Sequence, residues 1–68
     1  MSEQYIVVEL VGSSTQGSDE AIQNAITRAA KTLRHLDWFE VVETRGQLVN
    51  GQIANWQVKI KAGYRMED

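Results

Sequence analysis

The sequence predicts an α+β domain whose elements follow the order β-α-β-β. Three observations support this fold class. Residues 4–11 alternate as a strand does, residues 18–35 repeat apolar side chains at helical spacing, and residues 38–66 hold two alternating runs separated by Asn50-Gly51. The 68 residues fit a single domain. A chain of this size buries only about 60% of its unfolded surface, and it has no cysteine, so we expect association with further copies to stabilise it.

The first strand, residues 4–11, carries apolar side chains on both of its faces. They alternate as follows: Ile6, Val8 and Leu10 on one face, and Tyr5, Val7 and Val11 on the other, interrupted only by Glu9. A strand of this kind is usually covered on both sides, so we expect it to contact a neighbour. Residues 12–17, with two glycines and three hydroxyl side chains, then interrupt the pattern.

A helix is predicted over residues 18–35. Ser18 is suited to cap its first turn, and Asp19 and Glu20 favour the positive end of the helix dipole. Cationic side chains occupy the predicted last turn, where they suit the carbonyl end: Lys31, Arg34 and His35. The predicted buried stripe is made of small and branched apolar residues: Ala21, Ile22, Ala25, Ile26, Ala29, Ala30 and Leu33. Its alanines let the helix lie close to a sheet.

The two alternating runs, residues 38–46 and 52–66, are predicted to form an antiparallel hairpin. Asn50-Gly51 is the pair best able to adopt the positive φ angles of a tight turn. If the turn is centred on this pair, each residue of the first strand lies opposite the residue of the second strand for which the two numbers add up to the same total as 50 and 51. The resulting pairs match apolar with apolar and acid with base: Phe39 with Ala62, Val41 with Ile60, and Glu40 with Lys61.

Trp38 stands on the polar side of this hairpin, together with Glu40, Val42 and Thr44. We expect a large aromatic ring at such a position to be covered by another group. Gln57 shares this face but is predicted opposite Thr44, six residues from Trp38 or roughly 20 Å away. One subunit therefore cannot bring both side chains to one small ligand, whereas a two-fold interface can. The pattern alone also leaves open that Trp38 packs in a subunit interface or under the helix end without any ligand.

Composition and charge restrict the function classes. The formal net charge of −2 argues against a protein built to hold nucleic acid, which normally shows a basic stripe. It therefore disfavours a third alternative, a small RNA-binding domain that uses Trp38, Lys59 and Lys61. The sequence has no apolar run near 18 residues and no basic leader, so we expect neither a membrane span nor a signal peptide. Together with the absence of cysteine, this predicts a cytoplasmic protein.

No pattern in the chain has the signature of an enzyme. Gly12 and Gly17 have the spacing of a phosphate loop, but Ser18 and Asp19 stand where that motif requires a lysine and a hydroxyl residue. A catalytic triad would need Ser13 or Ser14 beside the only histidine, at the other end of a helix about 30 Å long. One histidine and scattered carboxylates do not have the spacing of a metal site. Nothing in the residues alone therefore predicts an enzyme.

Several segments together resemble the bacterial dodecins. These segments cover residues 8–14, 31–41, 45–46, 56–58 and 63–65, and they span nearly the whole chain. The most specific are Asp37-Trp38-Phe39-Glu40-Val41 and Trp56-Gln57-Val58, which are similar to the flavin-binding blocks of that family. The resemblance implies a three-stranded antiparallel sheet wrapped around one helix, with twelve copies forming a hollow homododecamer.

The resemblance also implies a ligand and its site. Flavins, FMN or riboflavin, are expected as stacked pairs between Trp38 residues at two-fold interfaces, with Gln57 at the polar edge of the isoalloxazine. Arg45 and Asp37 are expected at the periphery, where Arg45 would meet the FMN phosphate. The implied role is flavin storage and sequestration, including photoprotection.

A second ligand, coenzyme A, is implied near three-fold interfaces, with Arg28 and Arg65 as its candidate residues. The chain departs from the dodecin pattern at Trp56 and in residues 47–51. The residues alone allow Arg45 a different role, either as a solvated charge or in cation–π contact with its predicted neighbour Trp56. The alternative function is a structural or protein-interaction oligomer without a cofactor.

Overall fold

The structure, a computed structural model, describes residues 4–66 and contains in that range three strands and one helix. Strand β1 runs over Tyr5–Ser14, helix α1 over Ser18–Ala29, strand β2 over Leu36–Val49 and strand β3 over Gln52–Arg65. The strands form one antiparallel sheet in the order β1-β3-β2, so that β3 is central. The predicted fold class and element order are confirmed.

Helix α1 packs on β1 and β3 and buries a small core between them. The core consists of helix alanines and branched residues of β3, with three partly buried residues packed against them: Ala21, Ala25, Val58 and Ile60, then Leu10, Ile22 and Ile26. Gly12 permits the close approach, because a Cβ at this position would lie 2.0 Å from the carbonyl oxygen of Ala21. The predicted stripe is correct for its five residues up to Ala29, whereas Ala30 is exposed and Leu33, half-buried, lies beyond the end of the helix.

Strand β1 continues three residues beyond its predicted end at Val11. Gly12, Ser13 and Ser14 keep ladder partners on β3, so the interruption expected from residue 12 begins only at residue 15. The Ser14 hydroxyl accepts a hydrogen bond from the backbone N–H of Gln16 at 2.9 Å and lies 3.1 Å from Glu20 Oε1. These bonds join the end of β1 to the first turn of the helix.

The predicted start of the helix at residue 18 is confirmed, whereas its cap and its C-terminal end differ from the prediction. Gly17, not Ser18, occupies the N-cap position, although Asp19 and Glu20 lie in the first turn as expected. The helix ends at Ala29 instead of His35, because the backbone N–H of Thr32 bonds to the Ala29 carbonyl and the chain closes tighter, three-residue turns. Arg28 is therefore the basic residue of the last turn, and residues 31–35 connect α1 to β2.

The hairpin turn is the predicted one, with φ of 53° at Asn50 and 77° at Gly51. The pairs predicted nearest Trp38 are also confirmed: Phe39 with Ala62, Val41 with Ile60, and Glu40 with Lys61. Between these pairs and the turn, however, the register shifts by one residue and then shifts back. Val42 on β2 and Ala54 on β3 are the residues left without a ladder partner.

The two bulges change which residues are neighbours in the middle of the hairpin. Gln57 pairs with Arg45 and not, as predicted, with Thr44, which pairs with Val58. Trp56 pairs with Gly46 instead of Arg45. Because an extra residue reverses the alternation of a strand, Arg45 moves to the face of Gln57 and Trp38, and Thr44 moves to the helix side.

The chain is extended for its size. Its radius of gyration is 14.0 Å, whereas about 11 Å is typical of a folded domain of this length. The largest of its dimensions, 54 × 20 × 13 Å, follows from the long hairpin of β2 and β3. Most of the apolar side chains of β2 are consequently exposed within the single chain.

Candidate ligand-binding site

Trp38 lies on the sheet face opposite the helix, where it crosses the central strand. Its ladder partner on β3 is Gly63. A Cβ at Gly63 would lie 2.2 Å from the indole Cε2 of Trp38, so the ring occupies the space into which a side chain at this position would project. Trp38 nevertheless remains 41% exposed. A substantial part of the indole is therefore accessible to a partner or ligand.

Tyr5, from the far edge strand, borders the other side of the indole. The ring centroids of Tyr5 and Trp38 are 6.2 Å apart and the rings are tilted by 57°. The Tyr5 hydroxyl donates a hydrogen bond to Oδ2 of Asp37 at 3.1 Å. Asp37 has no ladder partner, because the register shifts between Leu36 and Trp38. Its side chain thus joins β2 to β1 across the central strand.

A small cleft of about 190 Å³ adjoins Trp38. It is lined by one acidic residue and otherwise by apolar residues of the helix and the sheet: Ile26, Leu36, Asp37, Trp38, Phe39 and Ala62. Apolar walls with one polar group suit an aromatic ligand or the side chain of a partner.

Gln57 and Arg45 form a second, polar part of the face. They are ladder partners and line one shallow groove of about 190 Å³ together with residues from all three strands: Val11, Glu43 and Lys59. The Arg45 guanidinium forms an exposed ion pair with the Glu43 carboxylate. The cation–π contact of Arg45 with Trp56, which the predicted register allowed, is wrong because these two residues project from opposite faces.

Trp38 and the polar groove are separated along β3. Gly63 marks the position of Trp38 and Gln57 lies six residues away, which corresponds to roughly 20 Å. Arg45 lies beside Gln57 and Asp37 lies beside Trp38. One chain therefore presents Trp38 and the Gln57–Arg45 groove on the same sheet face, whereas the cleft beside Trp38 is lined from the helix side by Ile26, Phe39 and Ala62. The predicted separation of Trp38 from Gln57 holds despite the changed register.

Arg28 and Arg65, the residues singled out for coenzyme A, line different grooves. Arg28 borders a groove of about 750 Å³ between β1 and α1, which also contains Lys31. Arg65 borders a groove of about 310 Å³ with Leu33 and Tyr64 among its walls. Thr32 touches both grooves. The two arginines do not share a cavity within one chain.

Residue His35 adopts an unusual backbone conformation directly before β2. Its φ is 62°, its carbonyl accepts a hydrogen bond from the backbone N–H of Arg65 at 3.0 Å, and its Nδ1 lies 3.0 Å from Arg65 Nη2. Non-glycine residues seldom adopt this left-handed conformation. The bonds to Arg65 hold the segment that leads into Asp37 and Trp38.

Sequence reasoning overlooked two residues that border the indole of Trp38, namely Tyr5 and Gly63. A signal for Gly63 was present, because the constant-sum register already opposes residues 38 and 63. A ring placed opposite a glycine has room to lie across the strand. No comparable local pattern connects Tyr5 with Asp37, which is 32 residues distant in sequence.

Residues 4–66 were also compared with the requirements of a metal site and of a membrane-spanning helix. Within that range, no group of three or more metal-ligating side chains is close enough to hold an ion. Nor is any helix among the described residues long and apolar enough to cross a membrane.

Fold and surface define the class of this protein as a small β-α-β-β domain with an exposed aromatic residue on its open sheet face. A family model described as Dodecin matches residues 5–67. A curated Dodecin from Thermus thermophilus is 50% identical over 68 residues, covering 100% of this chain and 99% of the relative. The chain therefore belongs to the dodecin family.

Solved structures agree with this assignment. The dodecin from Streptomyces davaonensis is 54% identical, with a TM-score of 0.95 and full coverage of both chains. The dodecin from Streptomyces coelicolor is 55% identical, with a TM-score of 0.92, and covers 97% of this chain and 94% of its own. The similarity extends over the sheet, the helix and the hairpin alike.

Proposed function

We propose that this dodecin family member binds flavin, FMN or riboflavin, as stacked pairs at two-fold interfaces of a hollow homododecamer. The rings stack between Trp38 of one chain and the partner subunit's Trp38, and Gln57 hydrogen-bonds the polar edge of the isoalloxazine. The observation that carries this proposal is the placement of Trp38 and Gln57 on one open sheet face, roughly 20 Å apart. Two reversed chains bring these residues to one ligand.

The exposed apolar surface supports the assembled state. Large apolar side chains on β2 and at the hairpin remain about half exposed in the single chain: Phe39 47%, Val41 46%, Ile53 56% and Leu48 68%. Surfaces of this kind mark association sites. Further copies are the partner that buries them.

The role is storage and sequestration of the flavin and not its turnover. Trp38 offers an electron-rich ring for dispersion and offset π contact with the electron-poor flavin, and an indole in contact quenches the excited flavin by electron transfer. A bound flavin is therefore held and protected from photochemistry.

Arg45 is the residue proposed to favour FMN over riboflavin. It lies beside Gln57, and only FMN carries a phosphate for its guanidinium. The Arg45 guanidinium is already ion-paired with the Glu43 carboxylate. The phosphate therefore competes with the Glu43 carboxylate for Arg45.

A substitution pair tests the aromatic platform. We expect Trp38→Ala to weaken FMN binding by about 1 kcal/mol or more, while light scattering still reports the assembled protein. Trp56→Ala is the matched control, because Trp56 projects from the opposite face. The measurement is quenching of FMN fluorescence on titration. Parent protein that remains colourless and leaves FMN fluorescence unchanged would instead favour an oligomer without a cofactor.

A second titration separates recognition of the ring from recognition of the phosphate. Gln57→Ala is expected to weaken FMN and riboflavin equally, by about 1 to 3 kcal/mol, because both carry the same ring edge. Arg45→Ala is expected to weaken FMN more than riboflavin, and Glu43→Gln to strengthen FMN alone. Both differences should shrink at high salt, since exposed charges are screened within about 8 Å at physiological ionic strength. Equal losses of both flavins with Arg45→Ala would remove the phosphate role.

Coenzyme A remains a second proposed ligand, for which Arg28 and Arg65 supply positive charge in separate grooves. Mass spectrometry of small molecules released from the purified, heat-denatured protein identifies the native flavin and tests for coenzyme A. A spectrum with flavin but without coenzyme A would remove the second ligand.

A further inference from the structure

The indole of Trp38 is bordered by groups from the two other strands as well as by its own strand. Trp38 belongs to β2, the glycine beneath it belongs to the central strand β3, and Tyr5 belongs to β1 on the far edge. Neighbouring strands are about 4.8 Å apart, so a tryptophan ring on β2 reaches across β3. The ring centroid of Tyr5 lies at 6.2 Å, within the range of favourable aromatic contacts.

The absence of a side chain at Gly63 allows the indole to lie close against the sheet. A Cβ at this position would lie 2.2, 2.3 and 2.6 Å from Cε2, Cζ2 and Nε1 of Trp38. Heavy atoms do not approach so closely, and Gly63 is itself buried. Any larger residue at position 63 therefore moves the indole from its present place.

Asp37 orients the tyrosine that borders the indole. The 3.1 Å bond from the Tyr5 hydroxyl to Asp37 Oδ2 connects residues on the two outer strands. Asp37 lies at a register shift and has no ladder partner on β3, so strand pairing does not fix its position. The bond therefore fixes both the tyrosine ring and the residue that directly precedes Trp38.

We propose that Tyr5, Asp37 and Gly63, termed here the indole seat, are positioning residues that hold Trp38 in its stacking orientation before the flavin arrives. The inference rests on the proposed flavin binding by Trp38. Ordering a mobile side chain opposes binding, and a ring held in advance avoids that loss. Tyr5 limits lateral movement of the indole and Gly63 sets its height above the sheet. Asp37 in this assignment acts through Tyr5 and does not touch the flavin.

The test uses Tyr5→Leu, Tyr5→Phe and Gly63→Ala in the assembled protein. We expect Tyr5→Leu to weaken FMN binding about 3- to 10-fold, the range that corresponds to loss of one pre-ordered side chain, and Gly63→Ala to weaken it at least as much. Tyr5→Phe keeps the ring and should recover most of the affinity. Two matched controls leave the seat intact: Tyr64→Leu on the opposite face, and Gly17→Ala, whose added Cβ meets no atom within 4 Å.

A second readout distinguishes positioning from general damage and does not need flavin. In a Trp56→Phe background Trp38 is the only tryptophan, since the chain has two, and its time-resolved fluorescence anisotropy reports motion of the indole. Tyr5→Leu should add a fast nanosecond decay that Tyr5→Phe does not add. This readout tests the indole seat even if the parent protein fails to bind FMN, in which case the flavin proposal alone falls.

The indole seat predicts changes in both FMN affinity and indole anisotropy. Unchanged anisotropy and unchanged FMN affinity in both Tyr5→Leu and Gly63→Ala would overturn it. Weakened binding with unchanged anisotropy would also overturn it, because the indole would then not have been loosened. If light scattering shows that Tyr5→Leu no longer assembles, Gly63→Ala provides the decision, and it must both weaken FMN binding and raise the mobility of the indole for the inference to stand.

Discussion

Two halves of the same sheet face differ sharply in burial. Ile60 on β3 and Val41 on β2 are ladder partners on the helix side, yet Ile60 is 0% exposed and Val41 is 46% exposed. The same contrast separates Ala62, at 1%, from its partner Phe39, at 47%. Helix α1 causes the difference, because it covers β1 and β3 and leaves β2 bare.

The comparison teaches that this chain completes only part of its own core. The covered half determines how one chain folds, since the helix alanines pack against Val58 and Ile60. The bare half presents apolar residues that a single chain does not bury and that further copies are proposed to cover. Substitutions in the two halves should therefore affect different measurements.

The largest expected effect on the free energy of unfolding is that of Ile60→Ala. Truncating a fully buried isoleucine costs about 2 to 5 kcal/mol through lost burial and the remaining cavity. Val41→Ala on the same ladder rung should cost a single chain less than about 1 kcal/mol, while weakening assembly. Urea denaturation at fixed protein concentration gives the first quantity, and light scattering on dilution gives the second. Equal unfolding costs without any change in assembly would contradict the division into two halves.

A smaller loss is expected from Gly12→Ala, which strains the contact that makes the covered half possible. The new methyl group would meet the Ala21 carbonyl oxygen at 2.0 Å and the Ala25 Cβ at 2.8 Å, and both belong to the helix. Forced overpacking of this kind costs about 1 to 3 kcal/mol. Thermal unfolding, compared with that of Gly17→Ala, measures the effect. A stability equal to that of the parent would show that the helix moves away from the sheet without loss.

The smallest effect is expected at the hairpin turn, far from the helix. Gly51→Ala places a Cβ on a residue with φ of 77°, which costs about 1 to 2 kcal/mol for an L-residue in the left-handed region. Asn50→Gly is the control, because glycine tolerates the φ of 53° found there. Urea denaturation of both variants should show a loss for Gly51→Ala alone. A greater loss for Asn50→Gly would mean that the asparagine side chain, and not backbone freedom, stabilises the turn.

Much of the fold follows from local patterns. The Asn50-Gly51 turn, the pairs of Phe39 and Glu40 with β3, and the order of the elements were predicted correctly, because each depends on residues adjacent in sequence or on strict alternation. Trp38 and Gln57 were also correctly predicted to share a face and to lie far apart. The ligand itself stays a prediction.

Other features depend on contacts between distant segments. The helix was predicted too long because residues 30–35 continue its apolar spacing, whereas the tight turn after Ala29 directs the chain toward β2. Arg45 was predicted opposite Trp56 instead of Gln57, because the alternation of β2 contains no signal for the bulge at Val42. A bulge is decided by how two strands share their hydrogen bonds, and one strand's sequence does not record it.

The sequence by itself therefore determined the element order and the turn, since local spacing and backbone preference act over a few residues, and its resemblance to the dodecins supplied the residues of the proposed chemistry. The tertiary structure alone decided where those residues stand. It brought Arg45 beside Gln57 through two compensating bulges, and it placed Trp38 over Gly63 and against Tyr5. The physical reason is that strand pairing and ring packing join residues tens of positions apart, so their geometry is determined only when the sheet has formed.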